Sequence, residues 1–322
     1  MFSKKLVLAA MVGSSLIIAG CGGSGSSSTT TQKTKVSFSI ADAPVDHAEN
    51  VFLAIDAIEL VKEGQDNFIL DVSADGKDYV QVDLLELSGG KSALLLEDTE
   101  LDPGSYQNLI LHVLDESDGD GLSYVIEEAN GGQVPMKQPS QKLRLGGFEV
   151  DSLGVQRFTI HIDLRSALVQ NRNGQRYNLK PHGVTIVDNS TVSSLSGTVS
   201  PALINSCPDA DPAGSFVYIY PGQITDAALL VDNYDSTVTA TMPPAGSVQP
   251  VNSTQVTDTG TYAFGFIPEG DYTLAFSCSS ANDDPEQYQG IDVTIPDPEG
   301  QIFGVTLDNA VDSVLDLDLL TP

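Results

Sequence analysis

The sequence contains no tryptophan, three cysteines and four histidines in 322 residues, and 15 Lys and Arg against 44 Asp and Glu. Each scarcity excludes a class of chemistry. A formal charge of −29 repels nucleic-acid backbones and anionic lipid headgroups, so neither is an expected direct partner. The same charge keeps a chain soluble and favours divalent cations. His47, His112, His161 and His182 are scattered, and no Cys-x-x-Cys, His-Glu-x-x-His or Gly-x-Ser-x-Gly occurs. The familiar zinc, metalloprotease and serine-hydrolase motifs are therefore missing. Without tryptophan, the best sugar-stacking side chain is missing too. Beyond the N-terminus no apolar run is long enough for a transmembrane helix.

What is present begins at the N-terminus. Lys4 and Lys5 precede an apolar run from Leu6 to Ile18, which is too short for a permanent span and reads as an export signal. The stretch Ile18-Ala19-Gly20-Cys21 resembles the lipobox of bacterial lipoproteins. That resemblance implies cleavage after residue 20, lipidation of Cys21 and anchoring by more than one acyl chain. An ordinary secretory signal with a chance cysteine is the alternative. Gly22, where inner-membrane retention resembles Asp, implies the outer membrane, with the body facing the periplasm or the cell surface. Residues 21–34 are Gly-, Ser- and Thr-rich, a flexible tether of about 20 Å r.m.s. length.

The remaining chain of about 300 residues is long enough for two domains. From Lys35 onward apolar residues alternate with polar ones, as in Val36, Phe38 and Ile40, then Val51, Leu53 and Ile55, then Phe158, Ile160 and Ile162. Period two marks half-buried strands. Further strands are predicted at 68–72, 79–86, 106–114, 122–127, 142–150 and 177–187. Short helices are conceivable at 92–98 and 164–170. Turn signals such as Asp75-Gly76, Ser88-Gly89-Gly90 and Asn173-Gly174 separate them. The expected fold is all-β, two β-sandwiches in tandem, 35–188 and 195–322, joined by a polar linker at 188–194.

The order Val82-Asp83-Leu84-Leu85-Glu86-Leu87, Gly89-Gly90-Lys91-Ser92-Ala93-Leu94 and Leu101-Asp102-Pro103-Gly104-Ser105-Tyr106, with the opening Ser39-Ile40-Ala41-Asp42-Ala43-Pro44, resembles the bacterial lipoprotein family called domain of unknown function 4382. It implies an exported β domain and carries over no catalytic residue. Residues 195–278 resemble the carboxypeptidase regulatory-like, transthyretin-like sandwich, through Val217-Tyr218-Ile219-Tyr220, Thr259-Gly260-Thr261-Tyr262-Ala263-Phe264 and Ile267-Pro268-Glu269-Gly270-Asp271-Tyr272. This second resemblance implies a companion or surface-binding module; an insertion at 221–253 departs from it. Asp258 to Gly260 reads as a hairpin turn, with Tyr262, Phe264 and Phe266 on one strand face. Gly104-Ser105-Tyr106 and Gly270-Asp271-Tyr272 repeat one device, a turn entering a strand through Gly-x-Tyr. There the ring is expected to be buried while its hydroxyl bonds the turn.

Candidate sites are few. Gly89-Gly90-Lys91-Ser92 ends like a phosphate-binding loop, but Leu85 stands where that motif needs Gly. His161 and Asp163 would share the outward face of one strand, and a solvated face is the expectation. Cys207 and Cys278, an even pair in an exported chain, point to a disulfide, with two buried free thiols as the alternative. Asp115, Ser117, Asp118 and Asp120 lie on a Gly-bent turn and are candidate Ca²⁺ ligands, the only cofactor suggested. Ile126 stands where an EF-hand loop would place its final Glu, and a solvated turn is the alternative. Tyr218, Tyr220 and Tyr288 are the candidate glycan contacts, although strand tyrosines commonly belong to cores. The expected function is a non-catalytic, lipid-anchored envelope protein that binds a polysaccharide or a protein partner. An assembly component and a hydrolase using paired carboxylates are the other readings.

Overall fold

Val36, Phe38 and Ile40 are fully buried, and the strand that carries them, Thr34–Ala43, is the centre of the first β body. It runs parallel to Val155–Asp163 and antiparallel to Ala93–Leu101, and Val184–Asp188 completes a four-stranded sheet. The structure is a computed structural model. It describes residues 32–320 apart from 44–47, 116–120, 128–130, 153, 172, 209–213, 279, 282 and 296–299. The predicted export signal, Cys21 and the predicted tether to residue 31 thus lie outside the described residues, as do Ser117, Asp118 and Asp120.

The facing sheet is built around Ala48–Val61, which pairs with Phe68–Asp71, Val80–Asp83, Asn108–Leu114 and Tyr124–Glu127. A register shift between Ile55 and Ala57 lets Ile55 and Ile58 both reach the core, three residues apart instead of two. Between the sheets lie Phe38, Leu53, Ile58, Leu111, Phe158 and Ile160. The chain is all-β, as expected, with departures that have local causes. The conceivable helix at 92–98 is a strand, because its backbone groups pair with Thr34–Ala43. At 164–170 only the turn Leu164–Ala167 is helical; Asp163 caps it by accepting from the Arg165 and Ser166 N–H groups. The predicted linker is a turn closed by Thr191 N–H to Asp188 O (2.9 Å), and the next strand, Val192–Thr198, starts inside it. Residues 32–322 form one compact unit.

The second body has two sheets. Val192–Thr198 lies between Thr261–Pro268 and the short Ser313–Val314; Phe216–Pro221 lies between Asn252–Gln255 and Gly270–Ser277, with Ile302–Leu307 beyond. Leu195, Val217, Ile219, Phe264, Leu274 and Phe276 fill the space between them. The Asp258–Gly260 turn does not close a hairpin, because the strands it joins belong to different sheets. Phe266 leaves the face shared by Tyr262 and Phe264: it has φ 57° at a register shift, and Ile267 takes the inward place. Cys207 and Cys278 form the disulfide, Cα–Cα 5.3 Å, across 71 residues.

The insertion 221–253 folds back over the outer face of Phe216–Pro221. Leu230 bridges to Val248, and the Tyr220 hydroxyl donates to Val231 O at 2.9 Å. That strand is consequently buried on both faces, and Tyr218 and Tyr220 are both 0% exposed. They are core residues, which removes them as glycan platforms.

Candidate functional site

The buried polar chemistry concentrates at the seam between the two bodies. Arg165 projects from the Leu164–Ala167 turn, positioned by the Asp163 cap, and is 3% exposed. Its guanidinium carbon lies 3.8 Å from the centroid of the Phe216 ring. Nη1 donates to the Tyr218 hydroxyl (3.1 Å) and to Ser253 Oγ (3.0 Å), and Nη2 donates to the Ser280 carbonyl. Nη1 is also 3.9 Å from Asp283 Oδ2. A planar, weakly hydrated guanidinium is suited to this: one face stacks while the edge donates.

Around it the seam is closed by packing. Gly265 meets Gly90 backbone to backbone; a Cβ on Gly265 would sit 2.5 Å from Gly90 Cα. The Gly89-Gly90 turn is therefore a packing platform for Ala263 and Gly265. His161 faces Phe266 with ring centroids 6.1 Å apart and is 7% exposed. Burial holds its pKa down at about 4. Asp163 is 6% exposed, and burial raises its pKa despite the hydrogen bond from Ser166 and the Arg165 charge. The face expected to be solvated is thus closed: Phe266 of the second body lies against His161, and Asp163 is buried beside its Arg165 and Ser166 partners. Lys180 pairs with Glu286 at the rim of the seam.

The other candidates separate from this cluster. Asp115 Oδ1 accepts the Gln138 N–H (2.7 Å), and Lys137 Nζ is 3.9 Å from Oδ2, so this carboxylate pins a neighbouring strand. Tyr288 is half-buried and meets Tyr234 edge to face at 6.2 Å. Among the described residues, no three His, Cys, Asp or Glu side chains gather as a metal site. A group that sequence reasoning did not single out is Glu59 on the outer face of the larger sheet. Its Oε2 accepts from Lys142 Nζ (2.7 Å) and lies 2.8 Å from His112 Nε2, and its Oε1 accepts from Asn67 (2.5 Å). Lys142, then the His112 and Asn67 hydrogen bonds, hold its pKa down at about 2 against desolvation. The shared oxygen makes it a cross-strand tie and not a dedicated orienter of the imidazole. Cross-strand diagonals across the bulged strand bring these residues together, and alternation alone could not reveal that.

The first body carries the family signature. Residues 33–181 match the family model described as domain of unknown function (DUF4382). The match spans the Asp163 cap, Arg165 and the Gly89-Gly90 turn. The solved structures similar to the chain share little of its sequence. The Bacillus anthracis TIE protein is 12% identical with a TM-score of 0.19, covering 88% of this chain, which spans 33% of that one. GBS52, the minor pilin of Streptococcus agalactiae, is 10% identical with a TM-score of 0.20, covering 89% and 97% of the two chains. BcpA, the major pilin subunit of Bacillus cereus, is 10% identical with a TM-score of 0.19, covering 88% and 99%. No curated protein matches the chain. Among the described residues, no helix is long and apolar enough to cross a membrane.

Proposed function

We propose that this chain is a non-catalytic, lipid-anchored protein of the bacterial outer membrane. Its DUF4382 region and second β body would act as one rigid spacer that presents a binding surface away from the bilayer. The observation that carries the reading is the enclosure of Arg165 of the first body by Phe216, Tyr218, Ser253 and Ser280 of the second. A buried, multiply bonded guanidinium resists hinge motion, because opening the seam would strip a charge of its partners. The resemblance of Ile18-Ala19-Gly20-Cys21 to a lipobox supports the anchor. The resemblance of 195–278 to carboxypeptidase regulatory-like modules supports a binding role.

A non-catalytic reading is favoured because three of the four acids with raised pKa values among the described residues, Asp163, Asp232 and Asp283, are buried, and the fourth, the half-buried Asp284, accepts the Glu286 N–H. The surface proposed for an envelope polysaccharide is the Tyr234–Tyr288 pair. Cys21→Ser should move the protein from the membrane fraction to the soluble one, and its retention in membranes refutes the anchor. A glycan array probed with the full chain and with Tyr288→Ala tests the ligand. Binding that is lost in the variant is the expected result, and no binding across the array refutes the polysaccharide.

A further inference from the structure

Behind the Tyr218 and Tyr220 rings, the second body brings two aspartates from distant segments together. Asp232, 0% exposed, uses Oδ2 to accept the main-chain N–H groups of Gln289 (3.1 Å) and Ile291 (2.7 Å). Asp283, whose side chain is closed off from solvent, also accepts through Oδ2. Its donors are the Tyr218 hydroxyl (2.7 Å), Asn233 Nδ2 (2.8 Å) and the Asn233 N–H (3.3 Å). Both carboxylates thus spend Oδ2 on the protein. Both leave Oδ1 buried with no hydrogen-bond partner among the described residues. A buried carboxylate oxygen without a partner is strongly disfavoured unless something compensates it.

The charge count points the same way. Arg165 offers one positive charge to this pocket, on the Oδ2 side of Asp283, against two carboxylates. The two acids are near enough that the charge of Asp283 acts on Asp232, and burial raises the pKa of each. Two oxygens and one negative charge are left over.

We propose that Asp232 and Asp283 are the carboxylate ligands of a hard-cation site of the Ca²⁺ class. Such a cation takes six to eight oxygens, and main-chain carbonyls and water commonly supply those that carboxylates do not. That composition agrees with the lack of a third acidic, His or Cys side chain among the described residues. The cation would clamp the 221–253 insertion to the turn around residues 283–291, next to the Arg165 latch. This site is separate from the acidic turn at 115–121.

The test uses the full chain, purified with EDTA and then titrated with CaCl₂ or TbCl₃. With no tryptophan present, tyrosine is the sensitiser of Tb³⁺ emission, and Tyr218 bonds directly to Asp283. The expected results are sensitised emission that Ca²⁺ displaces, and a Tm rise of about 5 °C at a hundredfold excess over Kd. Asp232→Asn should abolish both while its amide oxygen still accepts the Gln289 and Ile291 N–H groups, so it decides the matter even if Asp283→Asn fails to fold. Asp118→Ala with Asp120→Ala should leave both responses intact. A parent chain with no response to millimolar Ca²⁺ or Tb³⁺ overturns the site and leaves a bound proton as the neutralising agent. Responses that survive Asp232→Asn, or vanish in the acidic-turn double variant, overturn it equally.

Discussion

The guanidinium of Arg165 lies 3.8 Å from the centroid of the Phe216 ring, and these two residues belong to different β bodies. Neither position stands out in the sequence: one is an arginine at the edge of a short turn, the other the first residue of an apolar strand. Their contact makes the seam between the bodies a buried electrostatic junction as well as a packed one.

Removing that charge should be expensive. Arg165→Ala leaves Asp283 buried without its cation and three acceptors without a donor. A loss of about 3–5 kcal/mol is expected in urea unfolding. Arg165→Lys should recover less than half of it, since an ammonium cannot stack flat on Phe216 and donate along an edge. Full stability in Arg165→Lys would mean that charge alone matters here.

The two Gly-x-Tyr corners should behave as independent copies. Tyr106 donates to Asp102 O and Tyr272 to Pro268 O, each at 2.9 Å and each four residues back; the tyrosines are 6% and 7% exposed. Gly104 and Gly270 enter the strands at φ 118° and 151°. Tyr106→Phe and Tyr272→Phe should each cost about 0.5–1.5 kcal/mol. The double variant should lose their sum to within about 0.5 kcal/mol, because the corners lie in separate bodies. A coupling larger than that would show that the two corners interact in the folded chain.

Gly265→Ala addresses the seam without touching a charge. The added methyl would sit 2.5 Å from Gly90 Cα and 2.6 Å from its nitrogen, and backbone cannot swing aside. A loss of about 1–3 kcal/mol is expected in thermal or urea unfolding. Gly214→Ala is the control: its nearest neighbouring atom is at 3.8 Å, and a near-neutral effect is expected. Equal effects of the two substitutions would refute close apposition at Gly90.

Acid should weaken the seam through His161. Its pKa is about 4 in the folded chain against 6.5 when free, so folding favours the neutral ring. The contribution is complete above pH 6.5 and is lost as pH falls toward 4, to an extent of at most about 3 kcal/mol. Asp163, with a raised pKa, acts in the opposite sense and adds stability as pH falls. Comparison with His161→Gln isolates the histidine: the parent should lose more stability than the variant between pH 7 and pH 4.5. Parallel pH profiles would show that His161 does not titrate in this range.

Local patterns were legible wherever a strand kept one apolar and one polar face. Val36, Phe38 and Ile40 fill the first core while Lys35, Ser37 and Ser39 keep the other face polar, and the Gly-x-Tyr corners could be read from glycine and tyrosine chemistry alone. The cysteine pair was legible from its count. Misreadings arose where a distant segment covered a second face. Tyr218 and Tyr220 alternate with Val217 and Ile219, yet the 221–253 insertion buries them as well. Gly89-Gly90 looked like a chance fragment of a phosphate loop because its partner, Gly265, lies far along the chain.

The sequence by itself determined the all-β class, the turn positions, the strand faces that carry the first core, and the excess of negative charge. These follow from period-two patterning, glycine and proline stereochemistry and composition, which are local or additive. Only the tertiary structure decided that Arg165 is enclosed, that His161 and Asp163 are covered, and that Asp232 and Asp283 share one buried pocket. Those facts depend on which surfaces meet across 50 to 120 residues of chain, such as Arg165 with Tyr218 or Ser280. Burial and pairing of charge are properties of that meeting, because desolvation is set by every neighbour at once and not by the residues adjacent in sequence.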